Sequence, residues 1–330
     1  MRISHARLRS TIALAALAAS AHVIAQQAPA NATYPTKAVR MIVPFAAGGG
    51  TDIVARLVAQ ELNSTWGQAV IVDNRGGGGG TIGMQTAAKS NPDGYTMVMV
   101  SLGLTYVPAL YPDLTFDPRK DFAPISRIAS QPFVYVVTPT LGVSSIKDLV
   151  AMAKAKPGEL RYGSGGAGGA SHLGTELLKV MTGTNMVHVP YKGTAPALNA
   201  MLSGEIHFQL IGIATALPQI KSGKMRGIAV SGTKRSAVAP DVPTVAESGI
   251  PGYDFDVWYG MLFPGGTQRP IVAKTNADIA AALKVPAVIQ RFASLGLEPA
   301  PNSPAEFSKL IETEVGKWSK VVKAANIRVN

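Results

Sequence analysis

The chain contains no cysteine, which excludes disulfides, cysteine nucleophiles and thiolate metal sites. It has no run of four or five basic residues and no interleaved aromatic platform, so nucleic acid is not an expected partner. No segment beyond the N-terminus is both long enough and sufficiently free of charge to span a bilayer. No paired carboxylates bracket an expected cleft, which removes a glycosidase. Ser164 fails the G-x-S-x-G nucleophile elbow because Tyr162 stands at its first glycine position. His172, His188 and His207 are isolated, with no partner at i+4 and no acid at ligand spacing, and read as structural hydrogen-bonders rather than metal ligands. No catalytic group, metal or cofactor is expected.

What the chain does have begins with a leader. Arg2, Arg7 and Arg9 precede a short apolar stretch from Ile12 to Ala19, and Val23-Ile24-Ala25 supplies the residues a signal peptidase reads. That order predicts a secretory leader over residues 1–25, cleaved near Ala25 to leave a soluble periplasmic protein. The net charge of the whole chain is +11, and removing the three leader arginines leaves +8. Spread singly, these charges form a diffuse positive field that favours small anions. About 305 mature residues are more than one compact core usually serves, so two domains are expected.

Strand-like and helix-like segments alternate, which predicts an α/β fold with mostly parallel sheets flanked by helices. Strands are expected at 38–45, 69–72, 95–100, 133–137, 160–163, 187–189, 206–211, 227–230 and 257–263. Helices are expected at 51–63, 81–89, 145–156, from 169, and at 195–202, with a helical tail over the last 60 residues. Pro112, Pro118 and Pro124 mark a loop-rich passage, and Pro240, Pro243 and Pro251 mark another. Two α/β units and a returning tail make two lobes joined by two crossings: residues 33–132 with 254–330, and 133–253. A ligand would sit between them, beyond the carboxyl ends of the strands.

Three glycine clusters lie between an expected strand and an expected helix. In Pro44-Phe45-Ala46-Ala47-Gly48-Gly49-Gly50-Thr51-Asp52, the glycines let backbone N–H groups converge at a helix N-terminus that favours negative charge. Thr51 can cap the helix or offer a hydroxyl to a ligand. Asp52 can cap it or accept from a ligand amino group. The same residues also describe a tight βα turn with a capped helix. The cluster Ser164-Gly165-Gly166-Ala167-Gly168-Gly169 repeats this arrangement in the second unit. Two facing helix N-termini would hold a compact anion or the two ends of a dicarboxylate. The third cluster, Gly76 to Gly80 after Arg75, gives with Gly83 a formal G-x-G-x-x-G, as do Gly163, Gly165 and Gly168. In a chain with 34 glycines such matches arise easily, and after Gly83 the only nearby acid, Asp93, is misplaced for a dinucleotide. Arg75 either pairs a ligand carboxylate or clamps its own turn. Trp258 and Tyr259 either line the ligand or fill the core.

Several motifs together resemble one family. YPTKAVRMIVPFAAGGGTDIVAR, GQAVIVDNRGGGGGTIG, NPDGYTM, FDPRKDFAPIS, KPGELRYGSGGAGGASHL, HVPYKG, SGKMRGIAV and PDVPTVAESGIPG, in this order, are similar to the solute-binding proteins of tripartite tricarboxylate transporters, the Bug-type receptors. The resemblance implies a two-lobed periplasmic binding protein with two crossovers (type II-like), a monomer that is not an enzyme. It further implies a small carboxylate as ligand, integral-membrane permease subunits as partners and closure of the lobes on the ligand. The residues expected at the ligand are Phe45, Ala46, Ala47, Gly48, Gly49, Gly50, Thr51, Asp52, Ser101, Ser164, Gly165, Gly166, Gly168, Gly169, Tyr191 and Trp258; of these the resemblance implies the stretches 45–52 and 164–169, with Tyr191-Lys192-Gly193 bordering the cleft. Four positions depart from the family pattern: Gly169 where Ser or Thr is usual, Val107 for Asn, His207 for an acid and Gly76 for proline. The alternatives are a secreted or cofactor-dependent α/β enzyme, and a sensory subunit using the same closure.

Overall fold

The computed structural model describes residues 34–191 and 193–328. The expected leader therefore lies outside the described residues, as does Lys192. Among the described residues, no helix is long and apolar enough to cross a membrane.

Two sheets organise the described residues. The first has the order β11-β4-β10-β3-β1-β2, with β1 (Val39–Val43), β2 (Val70–Asn74), β3 (Thr96–Ser101), β4 (Phe122–Gln131), β10 (Val257–Pro264) and β11 (Glu298–Pro299). The second has the order β7-β6-β8-β5-β9, with β5 (Phe133–Val137), β6 (Arg161–Ser164), β7 (Val187–Pro190), β8 (Phe208–Gly212) and β9 (Arg226–Val230). The expected mostly parallel sheets are in fact mixed. β1 pairs parallel with β2 and β3, and β6 parallel with β7 and β8. β10 lies antiparallel between β3 and β4, β11 antiparallel to β4, and β5 antiparallel to β8 and β9. The reason is topological. β5 opens the second sheet and β10 re-enters the first, each arriving from the other sheet and running against its neighbours, and strand alternation along a sequence does not report their direction.

Only Pro132 separates β4 from β5, so the chain changes sheets within one residue. It returns through residues 231–256 into β10. These are the two crossings expected from the alternation.

The helices follow local chemistry. In α1 (Gly50–Trp66), Val54, Val58 and Leu62 recur at helical spacing and are buried. Gly67 ends it in the left-handed region, its N–H donating to Asn63 O at 3.0 Å. α2 covers Thr81–Ala88, and α4 (Ile146–Ala155) opens with a capping box between Ser145 and Asp148. α5 is Ala170–Thr182 and α6 is Thr194–Leu202.

Two helices were not expected, α3 (Gly103–Leu110) and α7 (Ile213–Lys221). Each carries an internal proline, Pro108 and Pro218, which argues against a helix in the sequence. Each also buries an apolar face, Leu104 and Val107 in α3 and Ile213 and Ala216 in α7, and that burial outweighs the lost hydrogen bond. Pro124 corrects the loop reading in the other direction. It lies inside β4, opposite Leu262, where the register with β10 shifts and a missing N–H is tolerated.

α8 (Arg269–Ala282), α9 (Pro286–Ser294) and α10 (Pro304–Ala324) form the tail. α10 packs on α3 and β4 and also touches α5. Its Trp318 meets Tyr106 and Phe255 edge-on, with ring centroids 6.3 and 5.7 Å away. Phe255 in turn meets Phe133, so an aromatic row runs from the tail helix to the first strand of the second sheet.

Gly260 is the tightest point of this packing. A Cβ there would lie 2.2 Å from Phe307 Cζ. Gly260→Val is therefore expected to destabilise the protein by about 3 kcal/mol, near the upper end of overpacking costs. Urea unfolding monitored by tryptophan fluorescence would check this, and an unchanged midpoint would contradict it.

Candidate functional site

The first glycine turn joins the carboxyl end of β1 to the start of α1. Ala46 to Gly50 are exposed and Phe45 is half-buried. Gly48 takes φ +82°, which favours glycine. Its N–H donates to Asp52 Oδ2 at 2.8 Å, and Gly49 N–H donates to Ala46 O at 3.4 Å. Asp52 is 2% exposed and fully committed: Arg56 Nε donates to Oδ2 at 2.9 Å and Asn74 Nδ2 to Oδ1 at 3.0 Å. Burial alone would raise its pKa, but the hydrogen bonds from Arg56, Gly48 and Asn74 prevail and hold it below the usual carboxylate value. Of the two roles open to Asp52 in the sequence, the internal one is filled.

The second-lobe turn is built in the same way. Gly168 takes φ +74° and donates its N–H to His172 Nδ1 at 3.0 Å, again the side chain four residues on. Gly169 N–H donates to Gly166 O at 3.2 Å, as Gly49 does to Ala46. The two N-cap residues have nearly identical backbones, φ −76° and ψ 166° at Gly49, φ −76° and ψ 168° at Gly169. Neither has a side-chain cap. In each helix the next three amides, Gly50 to Asp52 and Ala170 to His172, have no intrahelical acceptor. Thr51 and Ser171 take the same second helical position, and neither hydroxyl makes a hydrogen bond among the described residues.

Ser164 closes the second turn from beneath. Its Oγ donates to Gly166 O at 3.0 Å and accepts from Gly166 N–H at 3.1 Å. The following loop borders the turn through Tyr191 N–H to Ser164 O (3.0 Å) and Gly193 N–H to Gly165 O (3.1 Å). Gly165 sits against the start of α6, where a Cβ would lie 3.3 Å from Thr194 N. Tyr191 itself turns away. Its hydroxyl donates to Glu205 Oε1 at 2.7 Å, and its ring approaches Gly163.

Trp258 does not line an open cleft. It is 1% exposed and stands edge-on to Phe307 of α10, with ring centroids 5.3 Å apart. Strand alternation sends its neighbour to the other face. The Tyr259 hydroxyl reaches the first turn, 2.7 Å from where a Cβ on Gly50 would be, and donates to Gln131 Oε1 at 3.0 Å. Burial pushes this phenol up to about 12, so it remains a neutral donor. Gln131 Nε2 lies 3.2 Å from a Cβ position on Gly212, at the end of β8. Tyr259 and Gln131 thus connect the first turn to the second sheet. Ser101 is the cross-strand partner of Tyr259 and shares its face. Sequence reasoning left Tyr259 undecided and missed Gln131. Its signal was its place at the last residue of β4, one residue before the crossing.

The five-glycine run is structural. Gly77 to Gly80 all have positive φ, and a Cβ on Gly83 would strike Arg75 O and Pro44 Cα, both at 2.6 Å. Arg75 pairs with Asp73 at 3.0 Å and clamps its own turn.

The histidines are not isolated. The His172 and His188 rings stack with centroids 3.8 Å apart and planes at 8°, and His188 Nε2 lies 2.6 Å from Ser164 Oγ. Glu176, four residues after His172, places Oε1 3.8 Å from its Nε2. That spacing was present in the sequence, but the approach of His188 required the parallel pairing of β6 with β7. His207 is separate, its Nδ1 accepting from Arg161 N–H. Among the described residues, no group of three His, Cys, Asp or Glu side chains could hold a metal.

Comparison with known proteins places the chain in a family. The family description "Tripartite tricarboxylate transporter family receptor" matches residues 54–327. Protein BugT of Bordetella pertussis is 36% identical over 92% of this chain and 94% of its own. Among solved structures, Rpa4515 of R. palustris with adipate is 37% identical, covering 89% of this chain and 99% of that one, with a TM-score of 0.75. MatC of Rhodopseudomonas palustris with bound malate is 32% identical, covering 88% and 100%, with a TM-score of 0.72. The chain belongs to the tripartite tricarboxylate transporter receptor family.

Proposed function

We propose that this protein is a periplasmic solute-binding receptor that captures a small carboxylate between two lobes and delivers it to integral-membrane permease subunits. The observation that carries this reading is the matched pair of helix N-termini. Each presents three acceptor-free amides, a free hydroxyl and an uncapped glycine N-cap, and each such end favours an anion. Relatives with adipate and with malate support a carboxylate. Two identical donor sets suit a dicarboxylate, one end to each helix.

In this reading the lobes are residues 33–132 with 254–330, and 133–253, and the two crossings between the sheets act as the hinge. Closing the lobes would bring the turns at 45–52 and 164–169 together over the ligand and exclude water from its charge. Asp52 acts through Gly48 by fixing the turn rather than by touching the ligand. Ser101, Tyr259 and Gln131 supply the polar floor, in the place sequence reasoning gave to Trp258. The leader over 1–25 takes the chain across the inner membrane, and the mature receptor works as a monomer.

Calorimetric and thermal-shift screening of mono-, di- and tricarboxylates is expected to find at least one ligand of micromolar affinity or tighter, roughly −8 kcal/mol. Silence across such a panel would overturn the reading. Gly49→Val separates binding from folding. Gly49 has an ordinary φ, and the nearest neighbour of an added Cβ is Ala46 O at 3.4 Å. The substitution should cost about 1 kcal/mol in cap energy, while its bulk at the mouth of the helix weakens the ligand about tenfold or more, roughly 1.4 kcal/mol per decade. Unchanged affinity would make that turn structural only.

A further inference from the structure

The two turns differ in one chemical respect. Asp52 and His172 hold the same place, each accepting the N–H of the glycine four residues earlier. An ionised aspartate accepts at any ordinary pH. A histidine accepts at Nδ1 only while that nitrogen carries no proton. With Nδ1 accepting from Gly168, the proton of His172 lies on Nε2, the nitrogen nearest Glu176.

His188 completes the arrangement. It stacks on His172, and Tyr162 lies beside both rings, its centroid 5.0 Å from that of His188 and 6.3 Å from that of His172. Through Ser164 Oγ it reaches Gly166, whose N–H that oxygen accepts. Each imidazole is therefore tied to one glycine of the turn, His172 directly to Gly168 and His188 by way of Ser164 to Gly166.

We propose that His172 and His188 are paired positioning residues that hold the second-lobe turn in its ligand-receiving shape only while both rings are neutral, so that protonation of the pair releases the turn and its ligand. This rests on the reading of that turn as a ligand site. Protonating His172 sets a new N–H against the Gly168 N–H, donor facing donor. Protonating both rings places two cations 3.8 Å apart in a buried site.

The surroundings resist that charge. Burial pushes both imidazoles down to about 4, reinforced by Lys179 at His172 and by His172 and Lys179 at His188. Glu176 opposes this at His188 but is itself engaged, receiving the Tyr162 hydroxyl at 2.5 Å and Lys179 Nζ at 2.6 Å. Tyr162 on β6 and Tyr135 on β5 are held neutral by burial, their pKa values raised. On α10, which touches α5, Glu314 and Lys317 pair with each other. The sign follows. An unfolded histidine titrates near 6.5, so the unfolded chain binds more protons between about 6.5 and 4. The pair's contribution to stability is complete above that window and is lost as pH falls through it.

The test compares carboxylate affinity from pH 7.5 to 4 in the full chain, His172→Leu and His172→Asn. His172→Leu strands the Gly168 N–H and should weaken binding about tenfold at pH 7.5. His172→Asn offers Oδ1 in place of Nδ1 and should recover most of that loss. The ligand's own protonation is common to all three proteins. Between pH 7.5 and 4 the unsubstituted protein should lose about twofold more affinity than His172→Asn, because it has two imidazoles to keep neutral and the variant has one. Equal pH profiles, or wild-type affinity in His172→Leu, would overturn the proposal.

A ligand-free measurement on the unsubstituted protein guards against variants that fail to fold. The imidazole resonances should stay neutral at pH 6, with Gly168 amide exchange rising only as they titrate. Rings that titrate near 6.5 with no change at Gly168 would also overturn it. If no carboxylate binds at any pH, the ligand reading fails, and the amide exchange still decides whether the pair holds the turn.

Discussion

The site depends on one hydrogen bond, made twice. A glycine in the left-handed region turns its N–H back onto the side chain four residues ahead, at the third position of the helix that follows. This occupies one amide and fixes the direction of the others. The first three helical amides then point out of the turn with no acceptor of their own, at the end of a helix whose dipole favours negative charge. Without the side-chain acceptor, the N–H of the glycine would lose its partner and the turn one of the bonds that hold it.

The rest of the molecule serves to present these two turns. Both lie at the carboxyl ends of strands, β1 and β6, that begin a parallel series in their own sheets. A single proline between β4 and β5 and the return through residues 231–256 connect the sheets. Beside the first crossing, the Tyr259 hydroxyl and the Gln131 amide form a short polar bridge from Gly50 to Gly212. The aromatic row from Trp318 through Phe255 to Phe133 runs through the apolar core beside it. A polar floor and an apolar spine thus share the crossing region.

Much of this was legible. Apolar spacing located α1, α4 and α5 to within a few residues, because each buries a stripe that only a 3.6-residue period explains. The glycine clusters marked both turns, since a close approach of backbone to a ligand or to another element demands them. The direction of β10, the helices around Pro108 and Pro218, and the strand through Pro124 were not legible, because each depends on a partner far away in the chain. Trp258 and Tyr259 show the limit within two residues. Both are aromatic and both lie on one strand, and only the position of α10 on one side and of the first turn on the other assigns one to the core and one to the floor.

The sequence by itself determined the α/β class, the two-unit organisation, the family and the two glycine turns that open helices, because these arise from local periodicity and from glycine at fixed places. Tertiary structure alone decided that Asp52 is spent on its own turn and that three supposedly solitary histidines include a stacked pair. The physical reason is the same in both cases. A side chain's partner is chosen by which elements lie side by side: β2 brings Asn74 to Asp52, and β6, with α5 and β7 both against it, brings His188 to His172, sixteen positions away in the chain.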